Sequence, residues 1–244
     1  MADLLLPDWP APARVRTLQT MRGGGCSPCP WESFNLGDHV GDDPFRVAAN
    51  RALLRARLPV EPLWLTQVHG CTVVDAGQCS KSKEADAAYS RQAGVVCAVM
   101  TADCLPVLFC NRAGTVVGVA HAGWRGLVAG VLEAIIAAMA VPAATLLAWL
   151  GPAIGPSAFE VGDEVRAAFA TADPGAEVAF MPYAPGKYLA DIYELARRRL
   201  RRVGVEAIYG GDQCTVSAPE RFFSYRRDGI TGRQATLIWL ADGV

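Results

Sequence analysis

Residues 127–150 carry a single charge, Glu133, and Pro142 stands inside the run. A stretch this apolar has to be covered by something. Its length would span a bilayer, but proline closes a helix at about the residue before it. The run therefore reads as a buried helix over 127–140 followed by a buried strand over 145–150, rather than as a membrane span. A buried helix beside a buried strand points to a mixed α/β core.

Composition agrees with one such core. The chain has 244 residues, 52% of them hydrophobic and 19% charged, with a formal net charge of −1. That suits a single domain over 1–244 and excludes large-scale disorder. The near-zero charge offers no footprint for nucleic acid. The opening residues hold no basic segment, and the apolar run 4–6 stops at Pro7, so no secretory signal is expected. The expectation is a cytoplasmic protein whose eight cysteines are free thiols, with no membrane segment and no obligate protein partner. Residues 1–13, punctuated by proline, are expected to form an extended or frayed arm.

Asp43-Pro44 is an N-cap followed by proline at the first helical position, opening a helix over 44–58. Apolar runs at 63–68, 72–75, 95–100, 106–110 and 115–120 read as strands, as do 206–209 and 235–240. A helix is expected over 163–171. Leu189, Ile192, Ala196, Leu200 and Val203 keep helical spacing through 188–203. The sequence holds no phosphate-loop, dinucleotide, HExxH or nucleophile-elbow motif.

Asn111-Arg112-Ala113-Gly114 is a turn signal between two apolar runs, which predicts a hairpin. With a two-residue loop, Cys104 faces His121. With a bulge at Gly114 it faces Ala122 instead, and Pro106 interrupts the ladder in either register. Both residues then lie at the end of the hairpin away from its turn, close enough to share a metal ion or a proton. His69 ends an apolar run and precedes Gly70. A His69, Cys104, His121 set suits zinc and leaves its fourth position open, as a catalytic site requires. The bland alternative is a hydrogen-bonded histidine and a cysteine that packs as a small hydrophobe.

Other features weigh less. His39 reads as a turn residue. Cys26-x-x-Cys29 has metal spacing but no partner pair. Gly151-Pro152-Ala153-Ile154-Gly155-Pro156 is either a rigid turn or a nest of amides for an anion. Residues 222–229, FFSYRRDG, read as a strand and charged turn, or as aromatics that stack on a base beside arginines that clamp phosphate. Trp124-Arg125 is open to the same two readings.

Taken together, these segments resemble the YfiH family, also called the laccase-domain or multi-copper polyphenol oxidoreductase family. The matching residues are Arg22-Gly23-Gly24, Asn35-Leu36-Gly37, the run from His39 to Pro44, Gln67-Val68-His69-Gly70, Ala85-Asp86-Ala87 and Thr101 to Pro106. Further on they are His121 to Gly126, Gly151 to Gly155, Cys214-Thr215, Phe223 to Arg227, and Gly232-Arg233-Gln234. Cys26-Ser27-Pro28-Cys29 departs from the family pattern. The resemblance implies a four-layer α/β/β/α sandwich with mixed sheets, shared with a deamidating bacterial toxin that uses a Cys–His pair. It implies that His69, Cys104 and His121 bind zinc. It also implies purine nucleoside phosphorylase activity, with adenosine deaminase and methylthioadenosine phosphorylase activity, on purine nucleosides and phosphate. Members are described as copper oxidases and peptidoglycan editing factors as well.

Side-chain chemistry arbitrates among these. Reduction of oxygen by four electrons needs several coppers held mostly by imidazole, and three histidines cannot supply them. A single copper at the His₂Cys set is the alternative ion. For nucleoside chemistry, Arg22, Arg125 and Arg226 are the phosphate candidates. Asp86 and Asp103 are candidates to orient a histidine or move a proton. Gln67 and Asn35 are candidates for ribose or base edges. The rival is a metal-free Cys104–His121 hydrolase, such as an amidase acting on a peptidoglycan precursor. A zinc-stabilised binding protein would need a fourth ligand, for which Cys71 is nearest in sequence.

Overall fold

Residues Leu105–Asn111 and Leu146–Leu150 are buried at every position, which requires cover on both faces of the sheet they build. The computed structural model describes residues 3–79 and 83–242. In chain order, β1 (Leu4–Leu5) and β2 (Val15–Thr20) lead to α1 (Pro44–Arg55). Then come β3 (Val73–Asp75), β4 (Ala87–Ser90), β5 (Cys97–Thr101), β6 (Leu105–Asn111) and β7 (Val117–Ala122). Helices α2 (Trp124–Ala129) and α3 (Val131–Met139) follow, then β8 (Leu146–Leu150), β9 (Glu160–Gly162) and α4 (Asp163–Ala172). The chain closes with β10 (Phe180–Ala184), β11 (Lys187–Ala190), α5 (Ile192–Arg202), β12 (Ala207–Gly210), α6 (Tyr225–Asp228) and β13 (Gln234–Leu240).

A mixed sheet in the order β12-β8-β6-β7-β4-β3 forms the centre. Its outermost pairs, β12–β8 and β3–β4, are parallel, and the inner ones are antiparallel. Side chains alternate between its two faces. Val107, Phe109 and Ala148 pack with Leu132 and Ile135 of α3 and with Leu195 and Leu200 of α5. Leu108, Cys110, Leu147 and Trp149 pack the other way, against Val99, Ile238 and Leu240 of a second sheet, β1-β2-β13-β5. That sheet's outer face holds Leu18, Ala98 and Leu237 and is covered by Leu54 of α1. The layers run α/β/β/α in a single-domain α/β fold, with a small β10-β11-β9 sheet beside them.

Several expectations meet the structure directly. Asp43 caps α1 by accepting from the Phe45 amide, with Pro44 at the helix start. The apolar run divides into α3 and β8 as expected, and among the described residues no helix is long and apolar enough to cross a membrane. The helix, however, starts earlier and breaks at Gly130, whose φ of 102° admits glycine readily. Within the 1–13 arm, β1 is extended and pairs antiparallel with β2.

Three expectations are corrected. The hairpin loop takes in four residues, so Pro106 pairs with His121 and Leu105 with Ala122, two residues away from the tighter register. Pro106 disturbs little, because it sits at the start of its strand, where a missing N–H is tolerated. Residues 63–68 make only isolated bridges, Leu63 to Cys97 and Thr66 to Glu84. The 188–203 run is strand then helix. Asp191 accepts from the Glu194 amide and opens α5, and Leu189 belongs to β11.

Gly118 on β7 lets α3 approach closely. A Cβ there would lie 2.9 Å from Ile135 Cδ1 and 3.2 Å from the Met139 sulfur. Gly118→Val is expected to lower unfolding stability by about 1–3 kcal/mol through overpacking, read from the denaturation midpoint at unchanged slope.

Candidate metal centre

The candidate ligands come from three chain segments. His121 stands near the end of β7, Cys104 in the turn before β6, and His69 in the loop between α1 and β3. One carboxylate ties two of these segments together. Asp86, fully buried just before β4, accepts the amides of Val68 at 3.2 Å, His69 at 2.9 Å and Gly70 at 2.7 Å. Its Oδ1 also accepts from His121 Nδ1 at 2.8 Å. Three converging N–H groups hold His69 at a φ of 60°, a region that a residue with a Cβ seldom occupies.

An ionised carboxylate only accepts, so the His121 ring proton sits on Nδ1 and Nε2 is left to ligate. Cys104 Sγ lies 3.7 Å from His69 Nε2. The two imidazoles meet edge to face, 4.8 Å between centroids. The donor atoms of His69, Cys104 and His121 all lie within 4.8 Å of one another. Tetrahedral ligation, with sulfur at about 2.3 Å and nitrogen at about 2.0–2.1 Å, sets those two donors about 3.6 Å apart. The observed 3.7 Å fits. Gly123 keeps the space open, since a Cβ there would lie 2.8 Å from His69 Cδ2 and 3.0 Å from Cys104 Sγ. Among the described residues no fourth His, Cys, Asp or Glu joins the cluster, and Cys71 stays outside it.

Charge follows from the same contacts. Burial pushes the Cys104 thiol up, but the His121 charge and the hydrogen bonds from both histidines outweigh it and bring the thiol down. Burial pulls His121 down, but Cys104 and Asp86 raise it above the ordinary histidine value. Asp86 feels burial upward and the His121 and amide bonds downward, and it ends below the usual carboxylate range. Without metal, each of these contacts favours the charged form of its partner, a thiol drawn down and an imidazole drawn up beside a carboxylate. Metal binding has to displace the imidazolium proton.

The centre opens into a cavity of about 550 Å³. Of the candidates from the sequence, Gln67, Asp103, Arg125 and Arg226 line it. Gln67 is committed at both ends, to the Met100 carbonyl at 2.8 Å and the Met100 amide at 2.7 Å. Asp103, at a φ of 89°, accepts from the Thr215 hydroxyl and the Arg226 amide, each at 2.6 Å. Arg125 stacks on Trp124, and Arg226 on Phe159. Asp86 lies behind His121.

Arg22 and Asn35 are not brought to the cavity wall. Arg22 donates to the carbonyls of Glu32 and Pro219, and Asn35 is buried and bridges Gly37, Asp42 and the Arg233 amide. In the 222–229 segment, Phe222 and Phe223 are fully buried, and Tyr225–Asp228 forms a short helix capped by Ser224 rather than a strand and turn. The amides of Gly151, Ala153, Ile154 and Gly155 already have partners, which makes that segment a turn. Cys26 and Cys29 are free and exposed and belong to no ligand cluster among the described residues.

Sequence reasoning gave no site role to His39, read as a turn, or to Arg233, yet both line the cavity. Tyr225, within the segment read as aromatics beside arginines, lines it too. His39 and Arg233 lie in segments that match the family, but their local pattern gives them no role because they reach the site from distant segments.

A family model described as multi-copper polyphenol oxidoreductase laccase matches residues 16–241. The chain is 59% identical over 239 residues to purine nucleoside phosphorylase PA4543 of Pseudomonas aeruginosa, covering 98% of each. It is 58% identical over 243 residues to purine nucleoside phosphorylase YfiH of Escherichia coli, covering 98% of this chain and all of the other. The crystal structure of Neisseria meningitidis protein NMB0706 superposes with a TM-score of 0.95 at 54% identity, covering 98% of this chain and 99% of the other.

Asp86→Asn removes the charge and one acceptor from the carboxylate that steers both histidines. It is expected to weaken metal affinity about 10–100-fold, measured by competition with a chelator on folded protein.

Proposed function

The chain belongs to the YfiH family, the multi-copper polyphenol oxidoreductase laccase family of its matching model, and on that premise we propose that it is a metal-dependent enzyme that splits purine nucleosides with phosphate. The observation that carries this reading is a three-ligand His₂Cys cluster, open on its fourth side, at the wall of a cavity that arginines share. The names of its relatives with 58–59% identity support the nucleoside class. Zinc suits the donor set and copper is the alternative ion. When bound, either supplies Lewis-acid polarisation of a ligand oxygen.

The chain's own residues do the rest. Arg125, whose guanidinium stacks on Trp124, and Arg226 receive the phosphate dianion. A phosphate oxygen bonds to C1′ as the C1′–N9 bond breaks. The electron pair goes to N9, and the proton that phosphate loses ends on the base. Asp86 holds the His121 ring still throughout, so the centre needs no rearrangement as charge develops. Adenosine deamination belongs to the same proposal: water adds at C6, the C6–N bond breaks, and ammonia leaves with the proton from water. Methylthioadenosine would be split as other nucleosides are, with its 5′ group carried along.

A second reading rests on the Asp86–His121–Cys104 alignment itself. A thiolate next to an imidazole that a carboxylate orients is also the apparatus of a cysteine hydrolase or amidase. The same sulfur cannot ligate and attack at once, so metal content separates the two. A one-electron copper site is the third reading, suggested by the family description.

The test is a chromatographic product assay with adenosine and inosine, with and without phosphate, beside His69→Ala. The expected outcome is phosphate-dependent release of free base, lost in His69→Ala and after chelation, and restored by zinc. Turnover of an amide substrate by chelated protein would favour the hydrolase instead. Arg125→Ala is expected to reduce phosphorolysis by about tenfold or more and to leave the bound metal per chain unchanged.

A further inference from the structure

We propose that Arg233 anchors a phosphate subsite in the cavity, gripping a tetrahedral dianion with the free edge of its guanidinium. This rests on the nucleoside reading and deepens it: that reading gives the anion to Arg125 and Arg226, and Arg233 joins them as the group that fixes its position.

Arg233 is held at every point except one edge. Its backbone amide donates to Asn35 Oδ1 at 2.9 Å. Its stem lies over Gly37, where a Cβ would come within 2.7 Å of Arg233 Cγ. Its Nη1 donates to the carbonyls of Thr231 at 3.1 Å and Gly232 at 3.0 Å. The Nε–Nη2 edge remains, on a half-buried side chain that lines the cavity. Other arginines show what such a group usually finds. Arg198 pairs with Asp173 at 2.8 Å, Arg199 with Glu133 at 2.8 Å and Arg227 with Asp228 at 2.7 Å. Among the described residues Arg233 has no carboxylate partner within ion-pair distance. Burial outweighs the charges of Cys104 and Asp103 that act on it. A guanidinium withdrawn from water without a direct ion pair is costly, and an anion in the cavity relieves that cost.

The rest of the wall points the same way. Among the described residues Arg125 and Arg226 also line it without an ion pair, Arg226 Nη1 donating to the Glu160 carbonyl at 3.0 Å. Among its described lining residues Asp103 is the one carboxylate, and its two oxygens are engaged by Thr215 and the Arg226 amide. A planar fork with two parallel N–H groups matches two oxygens of phosphate, which a point charge does not. Arg125 and Arg226 are exposed, whereas Arg233 is pre-organised, so it sets where the anion sits. The shared chemistry is a phosphate group, either orthophosphate or the phosphate of a nucleotide.

Calorimetric titration of metal-loaded protein tests this, with orthophosphate in one arm and adenosine 5′-monophosphate in the other. Wild type is compared with Arg233→Gln and Arg233→Lys. The expected result is an orthophosphate Kd raised about tenfold or more in Arg233→Gln. Arg233→Lys is expected to recover only part of the loss. A loss confined to the nucleotide arm would support the subsite and assign it to a phosphate ester. Unchanged Kd values in both arms for both variants, or no phosphate binding by wild type, would overturn the inference. If Arg233→Gln does not fold, Arg233→Lys with wild-type Kd overturns it equally. Failure of the nucleoside reading looks different: wild type then binds phosphate through Arg233 and yields no free base. Conversely, phosphorolysis with a wild-type phosphate KM in Arg233→Gln keeps that reading and removes Arg233.

Discussion

The centre depends on the Asp86 carboxylate. It is fully buried, and it takes three amides from one segment and an imidazole N–H from another. Such a charge is tolerable inside a protein only when its lone pairs are all used. The same requirement makes it a rigid joint. It bends the chain at His69 into a left-handed conformation, and it turns His121 so that Nε2 faces Cys104. One anion thus orients the His121 ring and fixes the backbone at His69, and its own position is set by β4 pairing with β7.

The sandwich serves this joint. β6 and β7 are central strands with both faces covered, so the end of the hairpin that carries Cys104 and His121 cannot move independently of the core. Gly118 brings α3 onto β7, and Gly123 clears the space that a side chain would otherwise fill between Cys104 and His69. His121 therefore sits on a covered strand, Cys104 stands in the turn next to it, and His69 lies in a loop whose backbone Asp86 holds, which is how precise donor geometry can be held.

One constellation supports more than one chemistry. Metal-free, Cys104 and His121 form a charged pair aligned by Asp86. With metal, the thiolate becomes a ligand and its nucleophilicity is spent on the ion. Occupancy decides between these. The three histidines of the chain limit any copper reading to one site.

Much of this was legible in the residues. The capped start at Asp43-Pro44, the division of the apolar run at Pro142, and the convergence of Cys104 and His121 at one end of a hairpin follow from local pattern and spacing. His69, ending an apolar run before Gly70, was a candidate third ligand by the same pattern, and the resemblance implied that all three bind zinc. The hairpin register was not legible, because a four-residue loop and a two-residue loop use the same turn residues and differ only in how the strands seat against their neighbours. Nor was the strand at Leu189, where helical spacing ran on by chance through a cap at Asp191. The sequence by itself determined which side chains can ligate, which runs must be buried and where elements begin. Tertiary structure alone decided that Asp86 grips two histidine segments, that Arg22 and Asn35 serve the scaffold, and that His39 and Arg233 face the cavity. Those outcomes depend on contacts between residues far apart in the chain, and such contacts leave no periodic trace in it.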